Sequence, residues 1–270
     1  MCFDIVLNGM VTIKDNKALE KMAYAGSVIA ELFEELSTFI TPGITTHLID
    51  QKIDVTLKEK GLVSATKGYK GYRHASCISV NDEIVHGVPK ETHVIKDGDL
   101  VSVDICASWK GYCADAARTY VIGTVSPLAI SLKNVAQEAL INGIDQARVG
   151  NRLSDISSAI QKTVERYGFS VVREFAGHGI GKHMHEEPDI LNYGPPGKGI
   201  LLKEGMTFAI EPMICAGSCR VRIDKDGWTA RTADGKLAAH VEETVAITKD
   251  GPVVLTKRSY NKDVVAKDQG

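Results

Sequence analysis

Five residues scattered along the chain, Asp104, Asp115, His178, Glu211 and Glu242, are of the types that two divalent cations need side by side. Each lies in or beside a strand-like run. Carboxylates can bridge two metals, and four of them offset most of two 2+ charges. Scattered acids by themselves are usually solvated surface, so the segments around these five must support the reading.

Asp104 and Asp115 flank the turn Trp109-Lys-Gly-Tyr112, so a hairpin there can bring them onto neighbouring strands. Two like charges so placed repel unless a cation lies between them. Val101, Val103 and Ile105 alternate around Asp104 and put it on a core strand. Gly177-His-Gly-Ile-Gly181 sets His178 among three glycines, which permit close backbone approach to a ligand. The run lacks the GK[ST] ending of a phosphate loop and the spacing of a dinucleotide site. His86 and His185 lack the i, i+4 partner of a helix-borne zinc motif. Their better use is to hydrogen-bond a substrate amide or a tetrahedral oxyanion. Pro212 ends a strand just after Glu211. In Ala238-Ala-His-Val-Glu-Glu-Thr-Val-Ala-Ile, alternation puts Glu242 and Glu243 on opposite faces, so at most one of them reaches a common site.

The elements that must position these residues repeat. Ile95-Lys-Asp-Gly-Asp-Leu-Val-Ser-Val-Asp104 and Leu202-Lys-Glu-Gly-Met-Thr-Phe-Ala-Ile-Glu211 share the pattern apolar, Lys, acid, Gly, then a run ending in a carboxylate. The offset is 107 residues, and it also carries Gly43 onto Gly150 and Gly61 onto Gly168, each pair bounding a helical pattern. Two half-domains follow, about 20–125 and 126–256, within a single catalytic domain spanning 1–270. Asp104 and Glu211 are pseudo-symmetric mates at their junction. The periodicity predicts helices over 17–38, 44–60, 127–148 and 152–167, and strands over 75–80, 83–86, 100–107, 117–122, 170–175, 207–214, 220–223 and 240–248. The fold class is α+β.

Bulk composition narrows the function. The 270 residues are 44% hydrophobic with a net charge of −2, enough for a sizeable core and without the basic surplus of a nucleic-acid or anionic-membrane binder. The start, MCFDIVLNGM, does not read as a signal peptide, and no apolar run is long enough to span a bilayer. Six cysteines without a C-x-x-C read as free thiols in a reducing cytoplasm. Cys215 and Cys219 have no second pair to complete a zinc finger.

These residues resemble the type I methionine aminopeptidases, over about residues 15–256. The matching stretches include Ser79-Val-Asn-Asp-Glu-Ile-Val-His-Gly-Val-Pro89, Asp97-Gly-Asp-Leu-Val-Ser-Val-Asp104, Gly177-His-Gly-Ile-Gly181, His185-Glu-Glu-Pro188, Ile210-Glu-Pro-Met213 and Glu242-Glu-Thr244. The resemblance implies a pita-bread fold, with two pseudo-symmetric halves and a central antiparallel sheet flanked by helices. It implies removal of the N-terminal methionine from nascent proteins and peptides when the second residue is small. A hydroxide bridging two divalent metals would attack the first peptide bond.

By the same resemblance, Asp104 holds one metal, His178 and Glu211 the other, and Asp115 and Glu242 bridge both. His86 and His185 bind the scissile peptide, and Glu211 handles the proton of the bridging water. Tyr69, Tyr72, Cys77, Met184 and Trp228 form the walls of the methionine pocket. Thr66 and Met184 depart from the family, where Cys and Phe are common, and put substrate preference in question. The metal is left open among Co, Mn, Fe(II), Zn and Ni, since carboxylates and one imidazole do not choose among them. A cytoplasmic monomer acting on nascent chains is expected, with the ribosome as a conceivable contact and no membrane or specific nucleic-acid partner.

Three rivals share features with this reading. A prolidase or Xaa-Pro aminopeptidase has the same ligand types, usually with an extra N-terminal domain. A non-catalytic binding protein on the fold would be expected to lose ligands, and a creatinase-like amidinohydrolase would not need the metal set. The chain itself begins Met1-Cys2, and a small second residue suits such an enzyme. The expectation is that the protein processes its own N-terminus, so mass spectrometry of the native protein should find Met1 absent; retained Met1 would count against it.

Overall fold

A computed structural model describes residues 11–257, so Met1 and Cys2 lie outside the described residues. The first part of the chain runs α1 (Asn16–Phe39), α2 (Thr46–Glu59), β1 (Val63–Ser64), β2 (Cys77–Val80), β3 (Glu83–Val85), β4 (Leu100–Trp109) and β5 (Tyr112–Val121). The remainder runs α3 (Pro127–Ile144), α4 (Leu153–Arg166), β6 (Ser170–Val171), β7 (Gly177–Gly179), β8 (Glu186–Ile190), β9 (Thr207–Ile210) and β10 (Met213–Cys215). It closes with β11 (Val221–Ile223), β12 (Ala230–Thr232), β13 (Ala238–His240), β14 (Glu243–Thr248) and β15 (Gly251–Val254).

Helix starts are set by local chemistry. Asp15, Thr45 and Ser126 each cap a helix by accepting from a backbone N–H three residues on. Pro127 follows Ser126 at the first turn, where its missing N–H costs nothing. The ends at Gly61 and Gly168 adopt φ of 72° and 76°, a conformation that glycine reaches without steric cost.

Every strand pair is antiparallel. One sheet orders β1-β4-β2 with β5 beside β4; another orders β15-β14-β9-β7-β8. Two three-stranded sheets, β13-β10-β6 and β11-β12-β3, complete the set. One apolar core lies under α1 and α2, around Ile29, Leu32, Ile53, Val101 and Ile105. A second lies under α3 and α4, around Leu132, Leu140, Ile156, Phe208 and Ile210.

Several expected strands differ in extent. The 117–122 strand begins earlier, at Tyr112, because the two-residue turn at 110–111 lets pairing start at once. Asp104 and Asp115 therefore sit inside paired strands and not at their ends. The 207–214 run divides at Glu211-Pro212, and the 240–248 run divides at Val241-Glu242. The 170–175 run pairs only over Ser170–Val171. At both divisions the chain passes from the five-stranded sheet to the β13-β10-β6 sheet or back. A proline cannot donate to a ladder, which accounts for the first break.

Gly179 allows β7 and β8 to approach closely, since a Cβ there would overlap the Glu187 carbonyl oxygen. Gly179→Ala should lower stability by about 1–3 kcal/mol. A lower urea midpoint with unchanged m-value would show it, and an unchanged midpoint would refute the packing argument.

Candidate metal centre

The β4–β5 hairpin places Asp104 opposite Ala117 and Asp115 opposite Cys106. The two acids are diagonal neighbours on one face of the hairpin. The segment after β13 then comes alongside β5. Ala117 and Glu242 form a bridge, with N–H···O distances of 3.3 and 3.0 Å. The Thr244 hydroxyl receives the Asp115 N–H and donates to the Asp115 carbonyl, both at 2.8 Å. Glu242 is thereby held next to Asp115. Its neighbour Glu243 turns away, to Arg118 at 2.6 Å and to the Thr256 hydroxyl.

His178 sits on β7, opposite Ala209 of β9. Its Nδ1–H donates to the Gly179 carbonyl at 2.9 Å, because a carbonyl can only accept. The Nε2 lone pair is then free for a cation, the usual arrangement of a ligating imidazole. That Nε2 lies 3.5 Å from Glu211 Oε1, beyond good hydrogen-bond range. Glu211 is fixed by Asn192, whose amide donates to the Glu211 carbonyl at 3.0 Å.

Two groups of ligand atoms result, Asp115–His178–Glu242 and Glu211–His240–Glu242, with all atoms of each group within 4.8 Å of one another. Asp104 belongs to neither, but its charge couples to Asp115 and Glu211. His240 is absent from the sequence-derived set. Alternation along Ala238-Ala-His-Val-Glu242 already put it on the same face as Glu242, and that signal could have found it.

Burial drives the electrostatics. It pushes the Asp115 carboxyl up to about 7, with the Glu211 charge adding to it. Asp104, Glu211 and Glu242 are raised well above the ordinary carboxylate range, chiefly by desolvation. His178 is pushed down to about 3 and His86 to about 4, so both are neutral at pH 7. Asp115 Oδ1, Glu242 Oε1 and His240 Nε2 are buried without a hydrogen-bond partner. Buried polar atoms normally find partners. The orphaned Asp115 and Glu242 oxygens are hard donors around one point, and with the free lone pair of His178 Nε2 they fit a pair of divalent cations.

Of the other sequence-derived residues, His86, His185 and Cys77 stand beside this cluster, whereas the contacts of Thr66 and Met184 are to other groups. His86, at φ 58°, stands edge-on to Phe175 at 5.3 Å. The His185 ring is 4.4 Å from that of His178, and its Nδ1 is 3.0 Å from the Tyr69 hydroxyl. Cys77 on β2 is the strand neighbour of Asp104. Tyr72 packs on Trp228 at 5.0 Å, with its hydroxyl donating to the Ser76 carbonyl at 2.9 Å. Met184 is half-buried against the apolar cluster that includes Met22, Cys106 and Ile180. Thr66 is buried, with its hydroxyl 2.9 Å from that of Ser64.

Fold and site together define a metal-dependent hydrolase. The sequence matches metallopeptidase family M24 over residues 20–249. It is 47% identical to methionine aminopeptidase 1 of Bacillus subtilis (strain 168) over 248 residues, covering 92% of this chain and 100% of the relative. The crystal structure of methionine aminopeptidase from Thermotoga maritima superposes with a TM-score of 0.91 at 44% identity, covering 92% of this chain and 100% of that one. A prolidase from Pyrococcus furiosus superposes with a TM-score of 0.75 at 25% identity, covering 92% of this chain and 66% of that one. The chain belongs to metallopeptidase family M24, whose members use divalent metals, and its fold is the pita-bread arrangement.

The buried carboxylates make stability depend on pH. Their folded pKa values are raised, so stability present at low pH is lost as pH rises from the ordinary carboxylate value through the folded one. Each group still protonated costs about 1.4 kcal/mol per pH unit. The histidines have lowered values and contribute no slope above pH ~6.5. The melting temperature of the metal-free protein should therefore fall between pH ~6.5 and ~8. Saturating Co(II) or Mn(II) should remove that fall, and a flat profile without metal would contradict it.

Proposed function

We propose that the chain removes the N-terminal methionine from nascent proteins and peptides whose second residue is small. The observation that carries this reading is the pairing of Cys77 with Asp104 across β2 and β4, which sets the buried carboxylate–imidazole cluster beside the Tyr72–Trp228 aromatic pair that Cys77 touches. The full-length match to methionine aminopeptidase 1 of Bacillus subtilis supports it.

On this reading Asp104, Asp115, His178, Glu211 and Glu242 would hold two divalent cations. The cations would supply Lewis acidity and a water acidic enough to attack near pH 7. Glu211 would be the group that handles the proton at the scissile bond, able to accept one and to give one to the departing amine. His86 and His185 donate to the scissile carbonyl as it becomes an oxyanion. The Tyr69 hydroxyl at 3.0 Å steadies the His185 ring for this task. Tyr69, Tyr72, Cys77, Met184 and Trp228 would form the walls around the unbranched thioether. One apolar pocket discriminates by only about 1–3 kcal/mol per methylene, so the ligand set must also select for a free amine at the metal.

The two cores and the 107-residue repeat support two pseudo-symmetric half-domains, about 20–125 and 126–256. The five described cysteines are free thiols, which suits a cytoplasmic enzyme. No helix among the described residues is long and apolar enough to cross a membrane. The same proposal includes a monomer that works on nascent chains at the ribosome, with Co, Mn, Fe(II), Zn or Ni as the metal.

After metal stripping and return of Co(II) or Mn(II), the protein should release methionine from Met-Ala-Ser and leave Ala-Pro-Ala intact. Asp104→Asn should lose about 10³-fold or more in kcat while remaining folded. Cleavage of Ala-Pro-Ala would move the protein to the prolidase branch. A fully active, folded Asp104→Asn protein would sink the two-metal reading.

A further inference from the structure

His240 stands outside the set of five, yet its side chain faces that set. It ends β13 and is 2% exposed. Its backbone is anchored on both sides, with its N–H donating to the Ser102 hydroxyl at 3.3 Å and its carbonyl accepting from the Thr119 hydroxyl at 2.7 Å. Ser102 and Thr119 are themselves paired across β4 and β5, with their hydroxyls 2.9 Å apart. The imidazole is therefore aimed from a rigid base.

His240 Nε2 lies 3.5 Å from Glu211 Oε2 and 4.0 Å from Glu242 Oε2, and it has no hydrogen-bond partner. Glu211 Oε1, on the other side, lies 3.5 Å from His178 Nε2. Each oxygen of Glu211 thus faces a different imidazole. His178 presents a lone pair there, because its other nitrogen donates to Gly179. A lone pair beside a carboxylate oxygen suits a shared cation. His240 faces two ionisable carboxyl groups that, once metal-bound, can only accept. The tautomer that fits is the one with hydrogen on Nε2.

We propose that His240 is a positioning residue of the metal centre, donating from Nε2 to Glu211 Oε2 so that Oε1 stays turned to the cation shared with His178. The proposal rests on the metal-centre reading above. Groups that orient a ligating carboxylate typically alter metal affinity by about 10–100-fold when removed. Residue type at this position therefore sets how tightly one of the two cations is held.

The test is calorimetric titration of Co(II) into the chelator-stripped full chain, as wild type, His240→Leu and His240→Gln. Thermal unfolding first checks that each metal-free protein is folded, and His240→Ser replaces the leucine variant if that one is not. Wild type should take two ions. His240→Leu should bind one of them about 10–100-fold more weakly and the other unchanged. His240→Gln keeps an N–H donor and should stay within about threefold of wild type. Wild-type affinity for both ions in the leucine variant, or a glutamine variant as weak as the leucine one, would overturn the role of His240. A wild-type protein that takes no divalent ion would instead overturn the metal-centre reading.

Discussion

The structure depends on the mutual repulsion of four carboxylates brought together where water is largely excluded. Asp104, Asp115, Glu211 and Glu242 are each pushed up by burial, and their charges reinforce one another. Unpaired buried charge costs several kcal/mol per ion even after relaxation. No lysine or arginine faces this cluster as a compensating partner in any ion pair of the described residues. Divalent cations are the compensation that its geometry and donor types accept.

The scaffold holds the acids in place without neutralising them. Threonine hydroxyls do much of this, with Thr244 bonded to both sides of the Asp115 backbone and Thr119 to the His240 carbonyl. Arg118, the nearest cation on β5, is drawn to Glu243 on the opposite face and to the Glu242 carbonyl, which keeps its charge off the Glu242 carboxylate. Glu211 and Glu242 both stand where the chain leaves one sheet for another. The imidazoles are kept neutral by the same burial that strains the acids, so His178 presents a lone pair near pH 7.

Much of this was legible before any coordinates. The carboxylates stood out because each followed an apolar run, and the four helices were marked by periodicity, two of them lying between Gly43 and Gly61 and between Gly150 and Gly168. Strand ends were less legible: Pro212 marks the break after Glu211, but the break at Val241-Glu242 arises from a sheet crossing, a tertiary effect. For His240 the sequence offers only its alternation with Glu242, and the distances to Glu211 and Glu242 are what place it at the cluster. Tyr69, expected as a pocket wall, also meets His185 through a loop contact that no local pattern announces.

Anomalous diffraction from crystals grown with Mn(II) or Co(II) tests the account at its centre. Two anomalous peaks should lie within ligand distance of Asp104, Asp115, His178, Glu211 and Glu242, with Asp115 and Glu242 touching both. Crystals that hold the metal elsewhere, with the four carboxyls hydrogen-bonded to one another as neutral acids, would contradict it.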